Sequence, residues 1–228
     1  MKKFIIVVVL VFILIAATAY LWIRPSLLRG ELQQADVSDY FQSIDFQALQ
    51  SGGSLTLIEG FKTYQQTTGV TCGPSCVLMA LNHFGKLGTY GEMDLKRLRG
   101  TEQDTTYLRH LINIVDSIGG FKYISTFDVG KPEITHELFL NFLKRNIPII
   151  IGTNEWGGHW QIVVGYDTMG TESTDDDVLV LADPYDRTDH KEDGYIVYPF
   201  ENFYFGTWRN YYDPDFDWGL FLALWPEE

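Results

Sequence analysis

The sequence predicts an α+β domain with helices packed on a mostly antiparallel sheet. Three observations carry that reading. Helical periodicity is confined to the stretch from about residue 74 to 145, short aliphatic runs bounded by Gly, Asn and Asp follow from residue 147, and about 175 residues beyond Ser54 suffice for one core. Within the helical half, Pro74–Phe84 places Val77, Leu78, Leu81 and Phe84 on one face, and Gly85 closes it. Thr105–Ile118 repeats the pattern with Leu108, Leu111, Ile112, Val115 and Ile118 before Gly119-Gly120. A third helix is expected from about Thr135 to Arg145, carrying Leu138, Phe139, Phe142 and Leu143 inward. Strands are expected at 147–152 (IPIIIG), 160–166 (WQIVVGY), 178–182 (VLVLA), 195–198 and 220–224. The aromatic segment 200–208, FENFYFGTW, is expected as a short helix or turn that packs under the sheet.

Ahead of this domain, Phe4 to Ile23 is a run of twenty residues without a charge. A helix of that length spans roughly 30 Å, the thickness of a hydrocarbon core. Lys2 and Lys3 precede the run, and Tyr20 and Trp22 lie near its far end. Two readings stand side by side: a signal anchor kept as a single-pass helix, and a signal peptide cleaved near Ala17-Thr18-Ala19. Both place the working domain outside the cytoplasm. The chain therefore divides into a membrane or signal segment (1–24), a linker (25–54) and the domain proper (55–228).

Composition excludes several classes. The 228 residues are 46% hydrophobic and 21% charged, which argues against disorder. A net charge of −13 argues against nucleic acid as a partner. There is no GxxxxGK[ST] loop, so no ATP-binding domain is read in this chain. Two cysteines, Cys72 and Cys76, are too few for a disulfide scaffold or a multi-cysteine zinc site. Acids concentrate in 171–193 and 210–228; this could favour basic substrates or raise the pKa of a nearby histidine. The run Asp213, Asp215, Asp217 imitates the start of a calcium loop, but Trp218 stands where the loop needs glycine and no glutamate ends it, so no metal and no cofactor is assigned.

The chemistry-bearing string is YQQTTGVTCGPSCVLMALNHF, residues 64–84. Cys72 lies where a Gly/Thr-rich loop becomes a helix, with Pro74 suited to the first turn. Unpaired N–H groups and the positive helix end there stabilise a thiolate, the form of cysteine that attacks carbonyls. Cys76, a turn further on, reads as a small buried hydrophobe. A thiol nucleophile also needs a base, a group to orient that base, and donors for the oxyanion. His159, in GGHWQIVVGY, precedes a hydrophobic strand, and Asp183 ends the next one; a hairpin would set them side by side. Gln66, six residues before Cys72, can return its amide over the loop. Gln65 is the rival for that role and Asp186 the rival for Asp183. His83, His110, His136 and His190 read as ordinary helix or loop residues.

Gln66, then Cys72-Gly73-Pro74-Ser75-Cys76 before an apolar helix, then GHW leading a VVG strand and a strand ending in Asp183-Pro184, resembles the bacteriocin-processing (double-glycine leader) peptidases. More broadly it is similar to the peptidase-C39-like branch of the papain-like cysteine peptidase clan, over about residues 60–225. That resemblance implies a papain-like fold and thiol-dependent cleavage of a peptide or protein substrate, commonly after Gly-Gly. Position by position it implies Cys72 as nucleophile, His159 as base, Asp183 as its orienter and Gln66 as the oxyanion glutamine. The chain departs from leader-processing members, which sit ahead of a many-span export ATPase. Two other outcomes stay open: acyl transfer, as in transglutaminase-like or phytochelatin-synthase-like relatives, and a non-catalytic peptide-binding module.

Overall fold

A computed structural model of the chain describes residues 45–187, 193–209 and 212–227. The expected membrane segment, most of the linker and His190 lie outside those residues. No helix among the described residues is long and apolar enough to cross a membrane. Asp45–Glu228 forms one compact unit. Its start precedes the expected boundary at residue 55, because the end of the linker is packed rather than extended. Phe46 stacks on Tyr195 with ring centroids 5.1 Å apart, and Ser51 exchanges hydrogen bonds with the backbone of Leu57.

The elements run β1 (Leu55–Leu57), α1 (Cys72–His83), α2 (Glu92–Leu98), α3 (Leu108–Ile118), β2 (Phe121–Ser125), α4 (His136–Leu143), β3 (Ile149–Thr153), β4 (His159–Asp167), β5 (Val178–Ala182), β6 (Tyr195–Pro199) and β7 (Phe221–Pro226). The fold is α+β; among the described residues seven strands form one sheet and every strand pairing is antiparallel. Strand order is β2-β7-β3-β4-β5-β6, and β1 pairs with the far end of β4. The C-terminal strand β7 thus lies inside the sheet, between β2 and β3, which ties that end of the chain into the core.

The expected helices and strands form with ends shifted by at most three residues. Three elements have no counterpart in the sequence reading. β1 is only three residues long; β2 is half-buried along most of its length; and in α2 Leu95 is the only fully buried apolar residue, so none carries a strong periodic signal. The 200–208 segment winds as a π-helix over Asn202–Thr207. Its Phe200, Phe203 and Trp208 are buried, with the Trp208 indole donating to Leu220 O at 2.9 Å. This is the packing role expected of it.

Two elements place the chemistry. α1 is buried along every residue from Gly73 to Leu81, and it packs against α2, α3 and β4. A helix covered on all sides has little freedom to shift, so its first residue, Cys72, starts from a fixed position. β4 is the longest strand and is buried from His159 to Tyr166. It pairs with β3 and β1 along one edge and with β5 along the other, and its register with β5 shifts between Val163 and Gly165.

Gly165 sits where those neighbours crowd the strand. A Cβ there would stand 2.7 Å from Leu57 Cδ1 and 3.1 Å from Val180 Cβ. Gly165→Ala is expected to destabilise the domain by about 1–3 kcal/mol, read as a lowered denaturant midpoint with unchanged slope.

Candidate active site

The β3–β4 hairpin delivers His159. Between the paired residues Thr153 and His159 the chain turns through Trp156 (φ 53°), Gly157 (φ 85°) and Gly158 (φ 123°). Only glycine adopts the last of these freely, and Trp156 holds the left-handed conformation at a cost of about 1 kcal/mol or more. His159 is the first residue of the strand itself, not of the loop before it.

Cys72 and His159 line one cleft of about 220 Å³, with Val70, Thr106, Tyr107 and Gly158 among its other walls. Cys72 is a free, partly exposed thiol, and Cys76 is free and fully buried. Thr71 gives α1 no side-chain cap, so the first N–H groups of the helix are not consumed there. The cleft wall is stiff. Arg99, itself fully buried, donates to Asp104 O and Thr106 Oγ1, and the Trp160 indole donates to Thr106 O at 2.8 Å.

His159 Nε2 lies 2.7 Å from Asp183 Oδ1, and both residues are buried. With Nε2 donating to the carboxylate, Nδ1 is the nitrogen left for other chemistry. Burial alone lowers the pKa of His159. The hydrogen bonds of Asp183 and Cys72, with their charges, outweigh it and push the value up to about 10. Burial raises the Asp183 pKa, but His159, the Tyr185 N–H and the Gln161 amide together hold its carboxyl below the ordinary range. Tyr185 N reaches Oδ1 at 2.7 Å and Gln161 Nε2 reaches Oδ2 at 2.8 Å.

The Gln66 side chain is turned into its own loop. Its Nε2 donates to Thr68 O at 2.7 Å inside that loop, and its buried Oε1 has no hydrogen-bond partner among the described residues. Its backbone N–H donates to Pro184 O at 2.7 Å, which docks the loop against the Asp183 end of β5. Gln65 is a strut: its Nε2 donates to Asp183 O and its Oε1 accepts from Asp186 N. Asp186 turns Oδ2 to the Gly194 N–H at 3.1 Å, while the contact with His159 belongs to Asp183.

The sequence of residues 58–215 matches the Peptidase_C39 like family. The chain belongs to that family. This makes it a cysteine peptidase at the level of the family. Seventeen solved chains match it. One is the peptidase domain of Streptococcus ComA, described as a bi-functional ABC transporter involved in a quorum sensing pathway. It is 18% identical, with 73% of this chain and 99% of that chain covered and a TM-score of 0.49. No curated protein matches.

Sequence reasoning missed Gln161. Two residues beyond His159 on β4 it faces the same side, and one amide nitrogen serves Asp183 Oδ2 and Glu155 Oε2, the latter at 3.1 Å. A polar residue at this spacing in an otherwise apolar strand was the available signal. Among the described residues no group of His, Cys, Asp and Glu could hold a metal ion. The calcium-like aspartates serve as ties: Asp213 accepts from Leu108 N, Asp215 pairs with Arg109, and Asp217 pairs with Lys131.

The pKa directions fix a sign for pH dependence. His159 lies above its ordinary 6.5, so its contribution to stability is complete below about 6.5 and is lost as pH climbs through about 10. Asp183 lies below its ordinary 3.8, so its contribution is present above 3.8 and is lost only as pH falls through the lowered value. Melting temperatures of wild type and Asp183→Asn should therefore differ most between pH 4 and 6.5. The gap should narrow steadily toward pH 10.

Proposed function

We propose that the chain is a membrane-anchored thiol peptidase that hydrolyses peptide bonds outside the cytoplasm. The observation that carries the reading is the shared cleft of Cys72 and His159, with His159 Nε2 held by a buried Asp183 at 2.7 Å. Family membership supports peptide-bond chemistry, and the uncharged run Phe4–Ile23 supports the anchor.

In this reading the Cys72 sulfur, as thiolate, attacks the scissile carbonyl carbon, and the carbonyl electron pair moves to oxygen. The Cys72 N–H and the Gln66 amide, turned from Thr68 O when substrate enters, donate to that oxyanion. His159, protonated by virtue of its raised pKa, gives its Nδ1 proton to the leaving amine as the C–N bond breaks. A thioester remains on Cys72. Water attacks it while His159 Nδ1 accepts the water proton, the C–S bond breaks, and the carboxylate product leaves.

Peptide-library profiling of the wild type, with Cys72→Ala as control, tests the reading. Turnover should vanish in Cys72→Ala and in His159→Ala. Gln66→Ala should lose about 10²–10³ in kcat with little change in melting temperature, since the amide makes only a local bond. Cleavage surviving in Cys72→Ala would sink the proposal, and products carrying an added amine in place of water would redirect it to acyl transfer.

A further inference from the structure

Glu92 is an acid that neither the family pattern nor the proposed chemistry uses, and it is only 4% exposed. It opens α2, the helix that packs beside α1. Its Oε1 accepts the Thr67 N–H at 3.0 Å, and its Oε2 accepts the Thr67 hydroxyl at 2.6 Å and the Tyr64 hydroxyl at 3.1 Å. Burying a carboxylate among neutral donors is costly, and here the carboxylate stays charged. Burial raises its pKa, but the bonds from Thr67, Thr71 and Tyr64 outweigh that and hold it below the ordinary range.

All these donors belong to one segment, the loop from Tyr64 to Thr71 that carries Gln66 and ends at Cys72. On its other side that loop is pinned to the Asp183–Asp186 turn, through Gln65 Nε2 to Asp183 O, Gln66 N to Pro184 O and Asp186 N to Gln65 Oε1. Inside it, Thr68 O receives both Gln66 Nε2 and Thr71 Oγ1. Thr67 stands between Gln66 and Thr68, so whatever fixes Thr67 fixes both. From this geometry we infer that Glu92 is a positioning residue, whose carboxylate clamps the Tyr64–Thr71 loop and thereby sets where the Gln66 amide and the Cys72 thiol stand. The inference deepens the peptidase reading and rests on it for its kinetic consequence.

The test uses the full chain with Glu92→Ala and Glu92→Gln, and kcat is expressed per Cys72 thiol titrated with iodoacetamide. A residue that only stabilises the fold would lower the number of active thiols and leave kcat per thiol unchanged. The clamp predicts that Glu92→Ala lowers kcat per thiol about ten- to a hundred-fold, with KM within about twofold. Glu92→Gln keeps the reach and an acceptor for the Thr67 N–H, so it should recover most of that loss. The iodoacetamide rate at Cys72 should change in Glu92→Ala as well. Wild-type kcat per thiol in Glu92→Ala, or equal losses in both variants, overturns the clamp. Should Glu92→Ala fail to fold, Tyr64→Phe removes one donor and should still lower kcat several-fold; an unchanged kcat overturns the inference equally. A wild type without turnover would count against the peptidase reading, and the alkylation rates would then decide the clamp: equal rates in wild type and Glu92→Ala reject it.

Discussion

The buried contact between His159 and Asp183 is the constraint around which the rest is arranged. Removing two ionisable groups from water is unfavourable unless each remaining polar atom finds a partner. Here the partners come from separate elements: the Tyr185 N–H from the turn after β5 and the Gln161 amide from β4 itself. The antiparallel pairing of β4 with β5 makes this possible, because it sets Ile162 opposite Ala182 and so brings the start of one strand to the end of the other. Gln161 serves the carboxylates through its amide nitrogen. With one amide nitrogen between Asp183 and Glu155, it holds two acids at once, and burial and the Asp183 charge help raise the pKa of Glu155.

Cys72 is positioned from the other side by different means. α1 cannot tilt, since it is enclosed from Gly73 to Leu81, and the loop leading into it is fastened to both α2 and the Asp183 turn. The two halves of the site therefore share a frame. A displacement of the Asp183 turn would pull on Gln65 and Gln66, and a displacement of the loop would pull on Asp183. Such mutual dependence adds to the close packing of α1 in holding the geometry of the site.

Most of the architecture was legible because it rests on periodic burial. α1, α3, α4 and the strands β3 to β7 each carry apolar residues at the spacing of their type, and His159 and Asp183 could be paired on paper because both flank such runs. What escaped the sequence was short or non-periodic. β1 is specified by pairing with β4, α2 by packing of Leu95 and by the bonds of Glu92, and the role of Glu92 by partners 25 to 28 residues away. The Gln66 reading shows a different limit. Its spacing from Cys72 is a statement about reach, whereas the direction of its amide is decided by the competing acceptor Thr68 O, only two residues on.

Charge patterning illustrates the same distinction between composition and contact. The acids of 171–193 suggested a field that would draw basic substrates or raise a histidine pKa. Three of them, Asp177, Asp183 and Asp186, are buried, and they are spent on the Tyr166 hydroxyl, on His159 and on the Gly194 N–H. The groups that raise the pKa of His159 are Asp183 and Cys72, its direct partners. A carboxylate at hydrogen-bond distance in a buried site outweighs several solvated ones, because water and salt screen the latter beyond about 10 Å. Toward His159 the acidic character of this stretch thus acts through one placed residue, Asp183, while Glu172, Asp175 and Asp176 are exposed among the described residues.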